Sequence, residues 1–181
     1  MERTGLEEKI LTSFANVPPP KDQELVDGND FESKAIEKIF HGVRDWRELH
    51  VFDMDSEPAT LIFLSNTAFL YYLQAFMIHD LAGEVHNNDV VSCITSGFSD
   101  DDLWERDHPR HYGDTRKRRT RWGRAVHRCS AFSKEQVEAI IDYLRFKLEE
   151  EPDGFDAPSI RQAIENYWSP RLGELRGDST S

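Results

Sequence analysis

The sequence predicts an all-α protein, a single compact helical domain of five or six helices around a central apolar helix at about residues 66–80. Almost every residue from position 68 to 78 is apolar or aromatic, and a helix that is apolar on all sides must be surrounded by other elements. The remaining segments carry apolar residues at helical spacing on one side only, as helices packed around such a centre do. A membrane span needs about 20 apolar residues, so this run is too short and we expect no membrane contact.

Two helices are predicted before the central one. Thr4 and Glu7 have the spacing of a capping box, in which two side chains satisfy each other's backbone donors at a helix start. Three prolines at positions 18–20 end this first helix, because proline has no N–H to donate. A second helix is expected after the turn at residues 27–30, with a buried face made of Phe31, Ala35, Ile36, Ile39 and Phe40.

The central helix and the later segments also have start signals. Ser65 is placed to cap the central helix with its hydroxyl, and Ser133 and Gln136 form a capping box for a long amphipathic helix. A last helix is expected from Pro158, since proline suits the first helical turn. The domain is therefore predicted to cover residues 1–168, followed by a flexible C-terminal tail at residues 169–181.

Residues 53–57, Asp-Met-Asp-Ser-Glu, resemble the start of a calcium-binding loop. Such a loop needs Gly at its sixth position for the sharp turn and Glu at its twelfth as a bidentate ligand. Those places hold Pro58 and Leu64, so we reject a calcium site.

The chain is acidic, with 22 Lys+Arg against 34 Asp+Glu and a net charge of −12. This charge disfavours non-specific binding to nucleic acid or to anionic membranes, and it favours solubility or a basic partner. Two cysteines, Cys93 and Cys129, are too few for a disulfide framework, and the N-terminal residues lack the apolar core of a signal peptide. We therefore expect a cytoplasmic protein.

Residues 106–128 reverse this charge: they hold nine Lys+Arg and two Asp+Glu, a net +7, and leave −19 for the remainder. They lie in a predicted basic loop insertion at about residues 100–131. The candidate binding residues there are Arg116, Lys117, Arg118, Arg119, Arg121 and Trp122. Arginines interleaved with aromatic residues can hold nucleic acid by phosphate contact and stacking. The acidic remainder favours a solvated loop lying against the protein's own acidic surface over nucleic-acid contact.

The same stretch contains four weak candidates for zinc ligands, His108, His111, His127 and Cys129. Three imidazoles and a thiolate suit tetrahedral zinc, but the spacing is unlike a standard zinc module and the neighbouring arginines oppose a dication. We therefore predict no bound metal and no cofactor. Three adjacent aspartates at positions 100–102 are predicted to form a turn or helix cap, because adjacent helical residues point about 100° apart and cannot share one face.

Several segments together resemble a bacterial family of small helical proteins known only as a domain of unknown function. The resemblance covers roughly residues 5–150. It rests on the segments Phe14-x-x-Val17-Pro18, Trp46-Arg47-x-Leu49, Phe63-Leu64-Ser65-x-x-Ala68-Phe69-x-Tyr71-Tyr72-Leu73-x-Ala75-Phe76 and Phe132-Ser133-x-Glu135-Gln136. The resemblance implies a compact helical domain and no particular chemistry, and the basic stretch is an insertion relative to the family pattern.

These observations favour a protein-binding or inhibitory module over a catalyst. Immunity proteins that neutralise toxins have this character, because an acidic face is steered onto a basic enzyme. The alternative is a metal-dependent enzyme or a nucleic-acid-binding protein that uses the region between Asp100 and Cys129. We expect a protein partner.

Overall fold

The computed structural model describes residues 2–105 and 120–177 of the chain. Within these residues the regular secondary structure is helical, without a strand, which confirms the predicted all-α class. An isolated antiparallel bridge joins Val26 to Leu64. None of the helices in this part of the chain is long and apolar enough to cross a membrane.

The chain divides into two compact units, the N-terminal unit Glu2–Cys93 and the C-terminal unit Ile94–Ser181. Single turns of 3-10 helix lie at Asp22–Glu24 and Trp46–Glu48 in the N-terminal unit. Its longer elements are the helices α1 Arg3–Phe14, α2 Phe31–Phe40, α3 Val51–Met54, α4 Thr60–Phe63 and α5 Asn66–Leu81. Helix α6, Val90–Thr95, spans the boundary between the units.

The described part of the C-terminal unit has a 3-10 turn at Asp101–Leu103 and the helices α7 Arg121–Cys129, α8 Lys134–Glu150, α9 Ala157–Ala163 and α10 Ser169–Arg176. Residues Ile164–Trp168 form a π-helical turn that joins α9 to α10. The described residues thus have more helices than the five or six predicted. Helices of four residues, such as α3 and α4, are too short to show a period in the sequence.

Helix α5 is the predicted central helix, and the structure confirms its place and its burial. Phe69, Tyr72, Leu73 and Phe76 are fully buried, and α1 packs along this helix in the N-terminal unit. The hydroxyl of Ser65 accepts a hydrogen bond from the backbone N–H of Ala68 at 3.1 Å, which is the predicted cap.

The two predicted capping boxes have different outcomes. Ser133 and Gln136 form the predicted reciprocal pair of hydrogen bonds at the start of α8, at 2.8 and 3.4 Å. The box at Thr4 is wrong, because α1 begins at Arg3, so that Thr4 lies inside the helix, and Glu7 instead pairs with Arg3 at 2.8 Å. An i,i+4 ion pair here competes with the cap for the same carboxylate.

Two segments predicted to be irregular are helical. Residues 121–129 of the predicted loop insertion form α7, where the Thr120 hydroxyl accepts from the N–H of Gly123 at 3.0 Å. Residues 169–176 of the predicted tail form α10, and Arg176 there pairs with Glu138 of α8 at 2.7 Å. Both segments are polar in composition, so tertiary contacts that composition does not reveal hold them in place.

Candidate functional site

Four of the six candidate binding residues, Arg116, Lys117, Arg118 and Arg119, lie outside the described residues. Arg121 lies in the first turn of α7. Its guanidinium is 3.0 Å from a carboxylate oxygen of Glu105 and 3.5 Å from one of Asp102. These carboxylates offset part of the positive charge that Arg121 would offer to a partner.

Trp122, the sixth candidate, belongs to an aromatic cluster of the C-terminal unit. Phe98 and Tyr167 stack with their ring centroids 4.1 Å apart and their planes 5° apart. The ring of Trp122 lies edge-on to both, at 5.6 Å from Phe98 and 6.3 Å from Tyr167. These contacts give Trp122 a packing role, and its role in binding stays a prediction.

The three aspartates at positions 100–102 lie at a turn, as the sequence predicted, and two of them form structural hydrogen bonds. Asp102 accepts hydrogen bonds from the backbone N–H and the hydroxyl of Ser99, at 3.1 and 2.7 Å. Asp100 accepts one from the side-chain amide of Asn166, at 2.9 Å. The arrangement closes a turn before the 3-10 segment Asp101–Leu103.

Of the four candidate zinc ligands, His108 and His111 lie outside the described residues. His127 is exposed in the last turn of α7, and Cys129 is buried at the end of the same helix. In residues 2–105 and 120–177 no three His, Cys, Asp or Glu side chains are grouped as metal ligands. The expectation about zinc therefore remains a prediction.

Most of the net negative charge belongs to the N-terminal unit, because the basic residues lie mainly in the other unit. Residues 2–93 hold 17 Asp+Glu against 7 Lys+Arg, a net charge of −10 out of −12 for the whole chain. A unit with this balance presents a negative field that attracts cationic groups.

Several acidic residues of this unit are already paired with cations. The two guanidinium nitrogens of Arg44 each lie 3.0 Å from a carboxylate oxygen of Asp22, and the backbone N–H of Gly42 donates to Asp22 at 2.9 Å. The Arg44 bond is the larger cause, and together these bonds lower the pKa of Asp22 to about 2. Asp45 likewise pairs with Arg47 at 3.0 Å.

Two phenylalanines of this unit are exposed beside acidic residues that have no such partner. Phe31 begins α2 and is 83% exposed, and Phe52 in α3 is 75% exposed. Each is followed directly by an exposed carboxylate, Glu32 and Asp53. In the described part of the chain neither carboxylate forms an ion pair.

The exposure of Phe31 corrects the predicted buried face of α2. The buried residues of this helix are Ser33, Ile36 and Phe40, and Phe31 is not among them. At about 100° per residue, Phe31 points about 140° away from Ile36, so it faces away from the buried side. The angle between Phe31 and Ile36 around the helix axis is therefore the sequence signal that could have identified Phe31 as exposed.

The carboxylate of Asp55 fixes the position of α3 and α4. It is buried and accepts hydrogen bonds from the backbone N–H groups of residues 86, 87 and 88, at 2.7 to 3.2 Å. The side chain of Asn88 donates to it at 2.8 Å and accepts from the N–H of Leu61 in α4 at 3.3 Å. Its oxygens thus accept from N–H groups of three successive residues.

A model of a protein family matches residues 21–172, from the segment after α1 into α10, and its description is a family of unknown function, DUF6714. Comparison with curated proteins and with solved structures found no match. The matched range covers most of the chain and most of the segments on which the resemblance to a domain of unknown function rests. The chain therefore belongs to the family of unknown function DUF6714.

Proposed function

We propose that this protein works by binding another protein, and that its N-terminal unit, Glu2–Cys93, makes the contact. The observation that carries this proposal is the net negative charge of this unit, −10 of the total −12, in the unit that also exposes Phe31 and Phe52. Interfaces combine buried aromatic anchors with charged surroundings that orient the partner.

The charge selects a partner with a basic surface. Complementary charges speed encounter and reject partners of the same sign, while aromatic side chains supply much of the binding free energy. Inhibition of a basic enzyme, as immunity proteins perform it, is the form of this function that the charge suits best.

The direct experiment is a pull-down from an extract of the source organism with the tagged full chain, followed by identification of the partner and measurement of its affinity. We expect a protein that is retained at about 0.1 M salt and largely released at about 1 M, because the Debye length shortens from about 10 Å to about 3 Å.

Two matched variants test whether binding depends on a specific site or only on the net charge of the protein. Glu32→Lys/Asp53→Lys and Asp153→Lys/Glu165→Lys change the net charge equally, and all four residues are exposed. The first pair should weaken binding of the partner, and the second, in the C-terminal unit, should leave it close to wild type. Equal effects of the two pairs would show that the N-terminal unit is not the binding unit. A partner whose retention is independent of salt would show that charge does not select the partner.

A further inference from the structure

We propose that α2, α3 and α4 present a docking face for a cationic amphipathic segment of the partner protein, one that combines Lys or Arg with apolar side chains. We take this acidic apolar face to comprise one exposed apolar side chain from each helix, Phe31, Phe52 and Ile62, together with Glu32 and Asp53, which follow the two phenylalanines in the sequence. The inference rests on the proposed function, to which it adds the surface and the chemistry of the partner.

The apolar part of the face comes from three helices that lie together. Helix α2 contacts both α3 and α4 within the N-terminal unit. Each of the three helices exposes one large apolar side chain, Phe31 at 83%, Phe52 at 75% and Ile62 at 55%. Single exposed apolar residues are ordinary, but three on neighbouring helices leave apolar area that a partner gains free energy by covering.

The acidic part of the face is available because its carboxylates are not neutralised. Among the described residues, Asp22 pairs with Arg44 and Asp45 with Arg47, whereas neither Glu32 nor Asp53 has a cation within ion-pair distance. The whole stretch of residues 27–62 holds nine Asp+Glu against four Lys+Arg, a net −5, even though Lys34 and Lys38 lie on α2. A cationic ligand would meet carboxylates that do not have to give up a cation first.

The face is also held rigidly. The Asp30 carboxylate caps α2 by accepting from the N–H of Ser33 at 2.8 Å. Asp55 and Asn88 tie the turn after α3 to α4 through the hydrogen bonds described above. A surface that is ordered before binding loses less conformational entropy when the partner docks.

The chemistry of the ligand follows from this composition. An aromatic and aliphatic surface with carboxylates beside it fits a segment whose Lys or Arg stems cover apolar area while their charged ends reach the carboxylates. A nucleic acid does not fit, because its phosphates would be repelled by the same carboxylates.

The test uses the purified full chain and three fluorescein-labelled synthetic peptides with one helical pattern, made of Leu and Lys, Leu and Glu, or Ser and Lys. Binding is measured by fluorescence anisotropy. The Leu/Lys peptide should bind more tightly than either control peptide, because only it supplies both apolar side chains and positive charge.

Variants locate the binding on the face. Phe31→Ser/Phe52→Ser keeps the charge and should lower the affinity for the Leu/Lys peptide by about tenfold or more, as expected for the loss of buried aromatic contacts. Phe155→Ser is the matched control, since Phe155 is 98% exposed in the C-terminal unit, and it should bind like wild type. Glu32→Lys/Asp53→Lys should lower the affinity for the Leu/Lys peptide by a similar factor. This variant gives a second readout if the serine variant does not fold.

The inference would be overturned if Phe31→Ser/Phe52→Ser and Phe155→Ser bound the Leu/Lys peptide with equal affinity, or if wild type bound the Leu/Glu and Leu/Lys peptides equally. It would also be overturned if wild type sedimented as a dimer and Phe31→Ser/Phe52→Ser as a monomer. This last result would assign the face to a second copy of the chain. A partner from the pull-down that Phe31→Ser/Phe52→Ser still binds at full affinity would overturn this face alone and leave the protein-binding function standing. Conversely, loss of the Leu/Lys peptide in that variant supports the face even if the pull-down yields no partner.

Discussion

The Asp55 carboxylate shows how one residue joins segments that are distant in the sequence. Burial by itself would raise its pKa, but hydrogen bonds from the Asn88 side chain and from the backbone N–H groups of residues 86–88 outweigh burial and lower the pKa. A carboxyl whose pKa is lower in the folded state adds stability above its unfolded pKa of about 3.9. This contribution is lost as the pH falls through the folded value.

Replacing Asp55 should therefore destabilise the protein in a pH-dependent way. We expect Asp55→Ala to lower the free energy of unfolding by about 2–4 kcal/mol near pH 7, because several buried N–H donors lose their acceptor. Urea denaturation should show that the difference in free energy of unfolding between wild type and Asp55→Asn becomes smaller below about pH 4.

Asp27→Asn is the control for this experiment, since Asp27 is exposed and forms no ion pair among the described residues. It should stay within about 0.5 kcal/mol of wild type at each pH. The proposed role of the carboxylate would be contradicted if wild type and Asp55→Asn differed in free energy of unfolding by the same amount near pH 7 and near pH 2.

At the scale of the element, α5 and α7 show two different origins of a helix. The core residues of α5 are buried as its apolar sequence predicts. Helix α7 is polar, and contacts with other parts of the C-terminal unit hold it. The backbone N–H of Arg121 donates to the carbonyl of Glu105 at 3.1 Å. Gly97 has φ +93°, and a Cβ there would lie 2.6 Å from Cβ of Ala125, so only glycine allows this approach.

Truncation of α5 core residues should be costly. We expect Phe69→Ala and Leu73→Ala each to lower the free energy of unfolding by about 2–5 kcal/mol, through lost apolar burial and the cavity left behind. Thr67→Ala on the exposed side of the same helix should change it by less than about 0.5 kcal/mol. Chemical denaturation followed by circular dichroism measures all three, and a core variant as stable as Thr67→Ala would contradict the burial of α5.

At the scale of the whole molecule, charge is distributed unevenly between the two units. The N-terminal unit has a net charge of −10, while residues 94–181 hold 17 Asp+Glu and 15 Lys+Arg, a net −2. Repulsion among the carboxylates of the N-terminal unit opposes its folding, and salt screens this repulsion.

We therefore expect the thermal midpoint to rise when salt is increased from about 0.01 M to about 0.15 M, where the Debye length falls from about 30 Å to about 8 Å. The rise should be smaller in Glu32→Lys/Asp53→Lys than in Asp153→Lys/Glu165→Lys, because only the first pair relieves repulsion in the acidic unit. Differential scanning calorimetry gives the midpoints. A midpoint that falls with salt would mean that ion pairs outweigh repulsion. Equal responses of the two variants would mean that the repulsion is not specific to the N-terminal unit.

The sequence by itself determined the fold class, the central helix, the cap at Ser65 and the capping box at Ser133, because these depend on residues close together in the chain. Only the tertiary structure decided that residues 121–129 and 169–176 are helical, that Phe31 is exposed, and that Asp55 is a hub of hydrogen bonds. For the acidic apolar face, the sequence alone shows the negative charge but not which apolar residues are exposed. Its apolar residues come from three helices, and which of them remain exposed is set by how those helices pack, a non-local property that no periodicity within one segment contains.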